Sequence, residues 1–156
     1  MAAQHQRKPL PAGKPAPDFH LARLEGGDVS LGELLVDGPV LLVFYKVTCP
    51  VCQMTLPFLE RLHVAGTTRV FGISQNDAED TRQFAERFGV TFPMLLDLED
   101  DGFLASNDYG ISSVPTMYAI DQDSKITKVM QGWLKSDMEQ LGVLRPGDNV
   151  PVWKAG

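Results

Sequence analysis

Cysteine is scarce in this chain, with two residues in 156. Two thiols cannot build the framework of a disulfide-dense secreted miniprotein, which needs about four or more. Nor can they complete a four-thiolate zinc site. Basic residues are in deficit, 14 Lys and Arg against 20 Asp and Glu, giving a formal net charge of −6 and a pI near 4.9. A nucleic-acid binder needs a basic face to displace counterions from phosphates, so that class is excluded. Long apolar runs are also missing. The longest, Val40 to Tyr45, falls well short of the about 20 residues a helical membrane span requires.

What is present suits one ordinary domain. Apolar residues make up 44% and charged residues 22%, enough core to exclude disorder throughout. Gly (14) and Pro (11) together exceed their usual combined share of about 12%, so the chain turns often. Residues 1–17 carry Pro9, Pro11, Pro15 and Pro17 and read as an extended N-terminal arm. Arg7 and Lys8 make the arm locally basic, but no apolar segment of signal-peptide type follows. The expected domain spans 18–145, with 146–156 as a tail.

Periodicity places the elements. Phe19–Leu21 and Val29–Leu31 flank the turn Glu25-Gly26-Gly27-Asp28 and read as a hairpin. Pro39–Tyr45 is an unbroken apolar run, as for a central strand covered on both faces. Pro50–His63 reads as a helix with Leu56, Leu59 and Leu62 on one stripe and a kink at Pro57. Arg69–Ile73 is a second buried strand. Asn76 or Asp77 then caps a helix that ends at Gly89 and shares Phe84, Ala85 and Phe88 on one face. Met94–Leu96 is a strand and Phe103–Asn107 a helical turn. Thr116–Ile120 and Lys125–Gln131 read as paired strands, and Ser136 with Glu139 reads as a capping box opening a last helix over Met138 and Leu141. Such alternation gives a mixed sheet with helices on both faces.

The informative feature is Cys49-Pro50-Val51-Cys52, where an apolar strand gives way to a helix. Cys49 is the natural N-cap there, and Pro50 the first helical residue, whose missing N–H costs nothing. The sulfur of Cys49 then faces free N–H groups and the positive end of the helix dipole, which favour the anion, the form that attacks disulfides. Cys52, one turn in, is less exposed and near enough to displace whatever Cys49 has captured. A structural disulfide is a poor alternative, because a four-residue loop gains only about 1.9 kcal/mol against about 4.7 for 100 residues. A zinc site would need ligands from His5, His20 and His63, none of which forms a close-spaced pair. Two inert buried thiols fit badly with a helix start beside proline. Redox chemistry is the expectation, with no metal and no organic cofactor.

The neighbouring residues extend this. Lys14-Pro-Ala-Pro-Asp-Phe-His-Leu21, Val43-Phe-Tyr-Lys-Val-Thr-Cys-Pro-Val-Cys52, Pro57 and Tyr109-Gly-Ile-Ser-Ser-Val-Pro-Thr116 resemble the thioredoxin superfamily. The branch they resemble is the TlpA-like thiol–disulfide oxidoreductases, which grade into the AhpC/TSA peroxiredoxins. The resemblance runs from about Pro15 to Leu144. It implies a thioredoxin-like α/β three-layer sandwich with an N-terminal β-hairpin. It also implies Cys49 as attacking cysteine, Cys52 as resolving cysteine, and Pro115 as a cis-proline facing them. The backbone of Val114 is then open to an extended substrate segment.

Departures from that pattern matter too. Thr48 stands where thioredoxins have tryptophan before the first cysteine. Val43 and Thr55 stand where thioredoxins and TlpA-like proteins, respectively, carry a buried acid. Lys46 is left to help the thiolate electrostatically, or solvent to take the Cys52 proton, and slow resolution is expected. Val51 replaces the histidine of strongly oxidising relatives and cannot donate a hydrogen bond, so a reducing-to-intermediate poise follows.

The expected activity is thiol–disulfide exchange with protein substrates through a mixed disulfide, served by an upstream electron donor. The rival is an AhpC/TSA-type peroxidase, but neither cysteine fits Pro-x-x-x-Thr-x-x-Cys: Leu42 and Lys46 precede Cys49 at those spacings, Tyr45 and Cys49 precede Cys52. A redox-insensitive binding domain is the third class. A monomer is expected, cytoplasmic as the sequence reads, extracytoplasmic if a leader or anchor precedes residue 1. His20 and His63 read as ordinary histidines, Met94 and Met117 as core, Trp133 as packing over the sheet edge, and Leu98–Gly102 as a solvated acidic turn; Trp153 receives no role.

Overall fold

The computed structural model describes residues 8–156; His5, Arg7 and the start of the arm lie outside them. The sheet is built around β3 (Val40–Tyr45), whose six residues are all buried. Fully burying an aliphatic or aromatic side chain contributes about 1.5–3 kcal/mol, which is why this run occupies the centre. β4 (Val70–Ser74) lies parallel on one side, with Leu41 beside Val70 and Tyr45 beside Ser74. β5 (Met94–Leu96) is parallel to β4. The expected hairpin forms from β1 (His20–Arg23) and β2 (Asp28–Ser30), and β1 pairs antiparallel with β5. On the other flank β6 (Thr116–Ile120) runs antiparallel to β3, and β7 (Ile126–Gln131) antiparallel to β6. The strand order is β2-β1-β5-β4-β3-β6-β7, the expected mixed sheet.

Helices fill the crossovers. α2 (Pro50–Ala65) runs unbroken with Pro57 inside it and buries Leu56, Leu59 and Leu62. α3 (Ala78–Phe88) is capped by Asp77, whose side chain accepts from the Asp80 N–H, and ends at left-handed Gly89. α4 (Leu104–Asp108) starts over the buried carboxylate of Asp97, which accepts from the Ser106 N–H at 2.8 Å and its hydroxyl at 2.6 Å. A short helix that periodicity passes over, α1 (Leu31–Leu35), opens on a complete capping box between Ser30 and Glu33. The acidic run is an exposed 3₁₀ turn, Glu99–Asp101.

Three expectations require correction or refinement. The Ser136/Glu139 capping box does not form: α5 (Lys135–Leu141) starts two residues earlier, with Leu134 as N-cap and no side-chain cap bond. Its leading Lys135 N–H donates instead to Val152 O at 2.8 Å, a partner 17 residues away in sequence. Trp133 does not cover an edge from outside. It is fully buried in β8 (Trp133–Leu134), tilted on Phe58 of α2 at 5.1 Å, with its indole N–H donating to Pro151 O at 2.7 Å. Trp153, lacking a role in the sequence reading, sits in β9 (Trp153–Lys154), which pairs with β8.

Both ends of the described chain are tied to the domain. Leu10 N–H donates to Tyr109 O, Gly13 N–H to Ile126 O and Ala16 N–H to Ser124 O, while the Tyr109 hydroxyl donates to Pro17 O at 2.7 Å. Arg61 on α2 stacks over Phe58 and grips both Val143 O, at 2.8 Å, and the Asp148 carboxylate, at 2.7 Å. That guanidinium holds the Asp148 carboxyl below its ordinary range. Replacing Trp133 with Phe removes the indole donor and part of a filled core site. Urea unfolding should show a loss of about 1–3 kcal/mol, and an unchanged midpoint would contradict this packing.

Candidate active site

The carboxyl end of β3 delivers the chain to the site. After Tyr45 it turns through Lys46, Val47 and Thr48, and the Cys49 N–H closes the turn onto Lys46 O at 3.2 Å. Val47 is held by both of its backbone groups. Its N–H donates to Asn76 Oδ1 at 3.0 Å, and its carbonyl accepts from Gln53 Nε2 at 2.9 Å. Asn76 therefore steadies this loop while Asp77 caps α3. Neither Asn76 nor Gln53 is marked by the cysteine motif, since each acts across a distance that only the folded chain closes.

Cys49 is the N-cap of α2, with extended backbone and Pro50 at the first helical position. Its sulfur accepts a hydrogen bond from the Cys52 N–H at 3.3 Å, one of the four donors a helix start leaves unsatisfied. As a thiol, Cys49 also donates to Val114 O at 3.5 Å. Negative charge on this sulfur strengthens the amide contact and interacts favourably with the helix dipole. Both cysteines are free, Cys49 half-buried and Cys52 fully buried. Burial pushes the Cys52 thiol well above the ordinary range and its hydrogen bond with Cys49 adds to this, while the Lys46 backbone works against it. The two sulfurs thus differ by one helical turn and by their access to water.

The other named positions surround this pair. Val114–Pro115 is a cis peptide, and both residues are buried. Pro115 O accepts from the Gly132 N–H at 2.8 Å, and Gly156 packs against Val114 O. Thr48, Lys46 and Pro50 are exposed, and Val51 is half-buried. Val43 is fully buried. Thr55 is also fully buried, and its hydroxyl is the one buried side-chain polar atom among the described residues without a hydrogen-bond partner. Burial also holds the Tyr45 hydroxyl above its ordinary range, and a hydrogen bond with Ser74 opposes this. His20 pairs with Asp28 on the hairpin, and His63 meets the ring of Phe92. Among the described residues, no group of three or more His, Cys, Asp and Glu is placed to hold a metal ion, and no helix is long and apolar enough to cross a membrane.

Comparison with known proteins follows the same lines. A family model described as AhpC/TSA matches residues 12–129. The chain is 32% identical over 140 residues to the thiol-disulfide oxidoreductase ResA of Geobacillus thermodenitrificans, covering 86% of this chain and 78% of that protein. A thiol:disulfide interchange protein from Bacteroides sp. superposes with a TM-score of 0.73 at 25% identity, covering 86% of this chain and 88% of that one. Peroxidoxin BcpB from Mycobacterium tuberculosis superposes at 0.71 with 23% identity, over 86% and 94% of the two chains, a likeness of fold alone.

The buried Cys52 has a consequence for stability. Its folded pKa lies above that of the unfolded chain, so the stability it contributes is intact below the unfolded thiol range near 8.5 and lost as pH rises beyond it. The reduced protein should therefore lose up to about 1.4 kcal/mol per pH unit more than its Cys52→Ala variant above pH 9. Urea midpoints at pH 8 and 10 measure this, and parallel slopes would contradict it.

Proposed function

The chain belongs to the AhpC/TSA family and has a thioredoxin-like fold, and from that premise we propose that Cys49 and Cys52 carry out its chemistry. It is a thiol–disulfide oxidoreductase acting on protein thiols. The observation that carries the residue assignment is the helix-cap contact, a half-buried sulfur accepting an amide N–H with a second, buried thiol one turn behind.

In the reducing direction the Cys49 thiolate attacks one sulfur of a substrate disulfide. The substrate S–S bond breaks, the departing sulfur leaves as a thiolate and takes a proton from water, and a mixed disulfide to Cys49 forms. Cys52 then gives up its proton and attacks the Cys49 sulfur. The mixed disulfide breaks, the second substrate sulfur leaves as thiolate, and a Cys49–Cys52 disulfide remains. Two electrons have passed to the substrate, and a donor dithiol restores the pair by the reverse exchange. Val114 and Pro115 line the edge where an extended substrate segment docks, beside the sulfur that attacks it. Lys46, Thr48, Pro50 and Val51 form the rim, with Lys46 adding positive charge. Burial favours the thiol form of Cys52, and on this reading that slows the resolving step.

Cys52→Ser should leave substrate attached to Cys49 as a mixed disulfide that dithiothreitol releases, and Cys49→Ser should abolish insulin reduction. If Cys52→Ser traps no partner, the exchange reading of the pair fails; if wild type turns over peroxide as fast as it exchanges disulfides, the peroxidase reading takes precedence. Val51 offers no hydrogen bond to the attacking sulfur. Val51→His should make the Cys49–Cys52 couple more oxidising by about 30 mV for each tenfold gain in thiolate stabilisation. Equilibration with glutathione measures this, and an unchanged or more negative potential would exclude the role given to position 51.

A further inference from the structure

Residues 153–156 lie on the edge that disulfide exchange needs for its substrate. Lys154 pairs with Trp133 and Trp153 with Leu134 in the β8–β9 ladder. From there the chain returns to the cis-proline loop, and two glycines let the backbones meet. At Gly132, where φ is +66°, an added Cβ would stand 2.7 Å from Lys154 O. At Gly156 it would stand 2.1 Å from Val114 O. That carbonyl also lies 3.5 Å from the Cys49 sulfur. A substrate N–H must come within about 3 Å of a carbonyl to bond it, and residue 156 already fills that approach.

Little besides backbone pairing holds this segment down. Trp153 is 61% exposed and the adjoining Val152 74% exposed. Exposed backbone bonds trade with water for a small net gain, so such a segment opens locally while the core stays folded. The anchors just upstream are separate from it: Pro151 O holds the Trp133 indole, and Val152 O holds the Lys135 N–H.

We propose that residues 153–156 are a displaceable strap over the Val114–Pro115 edge, which an extended polypeptide substrate must lift and a small thiol reagent need not. This rests on the reading of Cys49 as the attacking sulfur. A site open for only a fraction of the time shows a correspondingly weakened apparent affinity. The strap therefore raises KM for protein disulfides and leaves the chemical step at Cys49 alone.

The test compares the full chain with a variant lacking residues 153–156, which keeps Pro151 and Val152, and with Gly132→Ala, whose Cβ would push Lys154 away. Both are first checked for native circular dichroism. With insulin as substrate, KM should fall about 3- to 10-fold in the deletion variant with kcat within about twofold, as competition by a mostly closed strap requires. Gly132→Ala should move KM in the same direction, and it carries the test alone if the deletion variant does not fold. Alkylation of Cys49 by iodoacetamide should change less than about twofold, since access to the sulfur itself does not require pairing at Val114. An unchanged or raised insulin KM in a folded variant overturns the strap. So does an equal acceleration of alkylation and insulin reduction, which would report general loosening. A full chain inert toward both insulin and iodoacetamide would overturn the Cys49 reading, and the strap with it.

Discussion

A helix leaves its first N–H groups without partners, and here one of them is met by sulfur. The arrangement around the cysteines follows from that unpaired donor and from the burial of β3. Because β3 is enclosed on both faces, its carboxyl end has a fixed position, and the α2 cap, Cys49, lies four residues beyond it. The Cys52 amide then points at the Cys49 sulfur. Helical geometry sends the side chain of Cys52 inward, where water is absent and the thiol is held protonated. The two sulfurs share four residues of chain, yet one is a rim group and the other a core group. Moving the cap by one residue would exchange or abolish those environments.

Features fixed by local pattern were legible in the sequence. β3 and β4 appear as apolar runs, the hairpin as a Gly-Gly turn between short strands, and α3 between Asp77 and Gly89. The Cys-Pro-Val-Cys start of α2 was equally plain, because N-cap and proline preferences act within one turn. Two capping-box patterns divide on this point. Ser30 and Glu33 form theirs locally. Ser136 and Glu139 do not: α5 starts at Lys135 instead, where the backbone N–H is taken by Val152 O, 17 residues along the chain. Asn76 and Gln53, which clamp Val47, were invisible for the same reason, as was the burial of Trp133 beneath Phe58 and Pro151. Contacts closed only by the finished fold leave no periodic trace.

The interior around Cys52 is unusual in what it offers a proton. Val43 presents only methyl groups, and Thr55 a hydroxyl with no partner. Tyr45 keeps its own proton more firmly than a free tyrosine. None of these accepts a proton near neutral pH. The desolvation that favours the thiol form of Cys52 is therefore not offset by a proton acceptor among these three side chains.

The chain's two tryptophans sit in opposite surroundings. Trp133 is sealed in the core, its indole bonded to Pro151, and Trp153 stands largely in solvent on the segment beside the cysteines. Their emission should differ in colour and in sensitivity to iodide, the first blue and shielded, the second red and easily quenched. The molecule thus carries its own pair of optical labels, one reporting the integrity of the interior and the other the position of a single exposed ribbon.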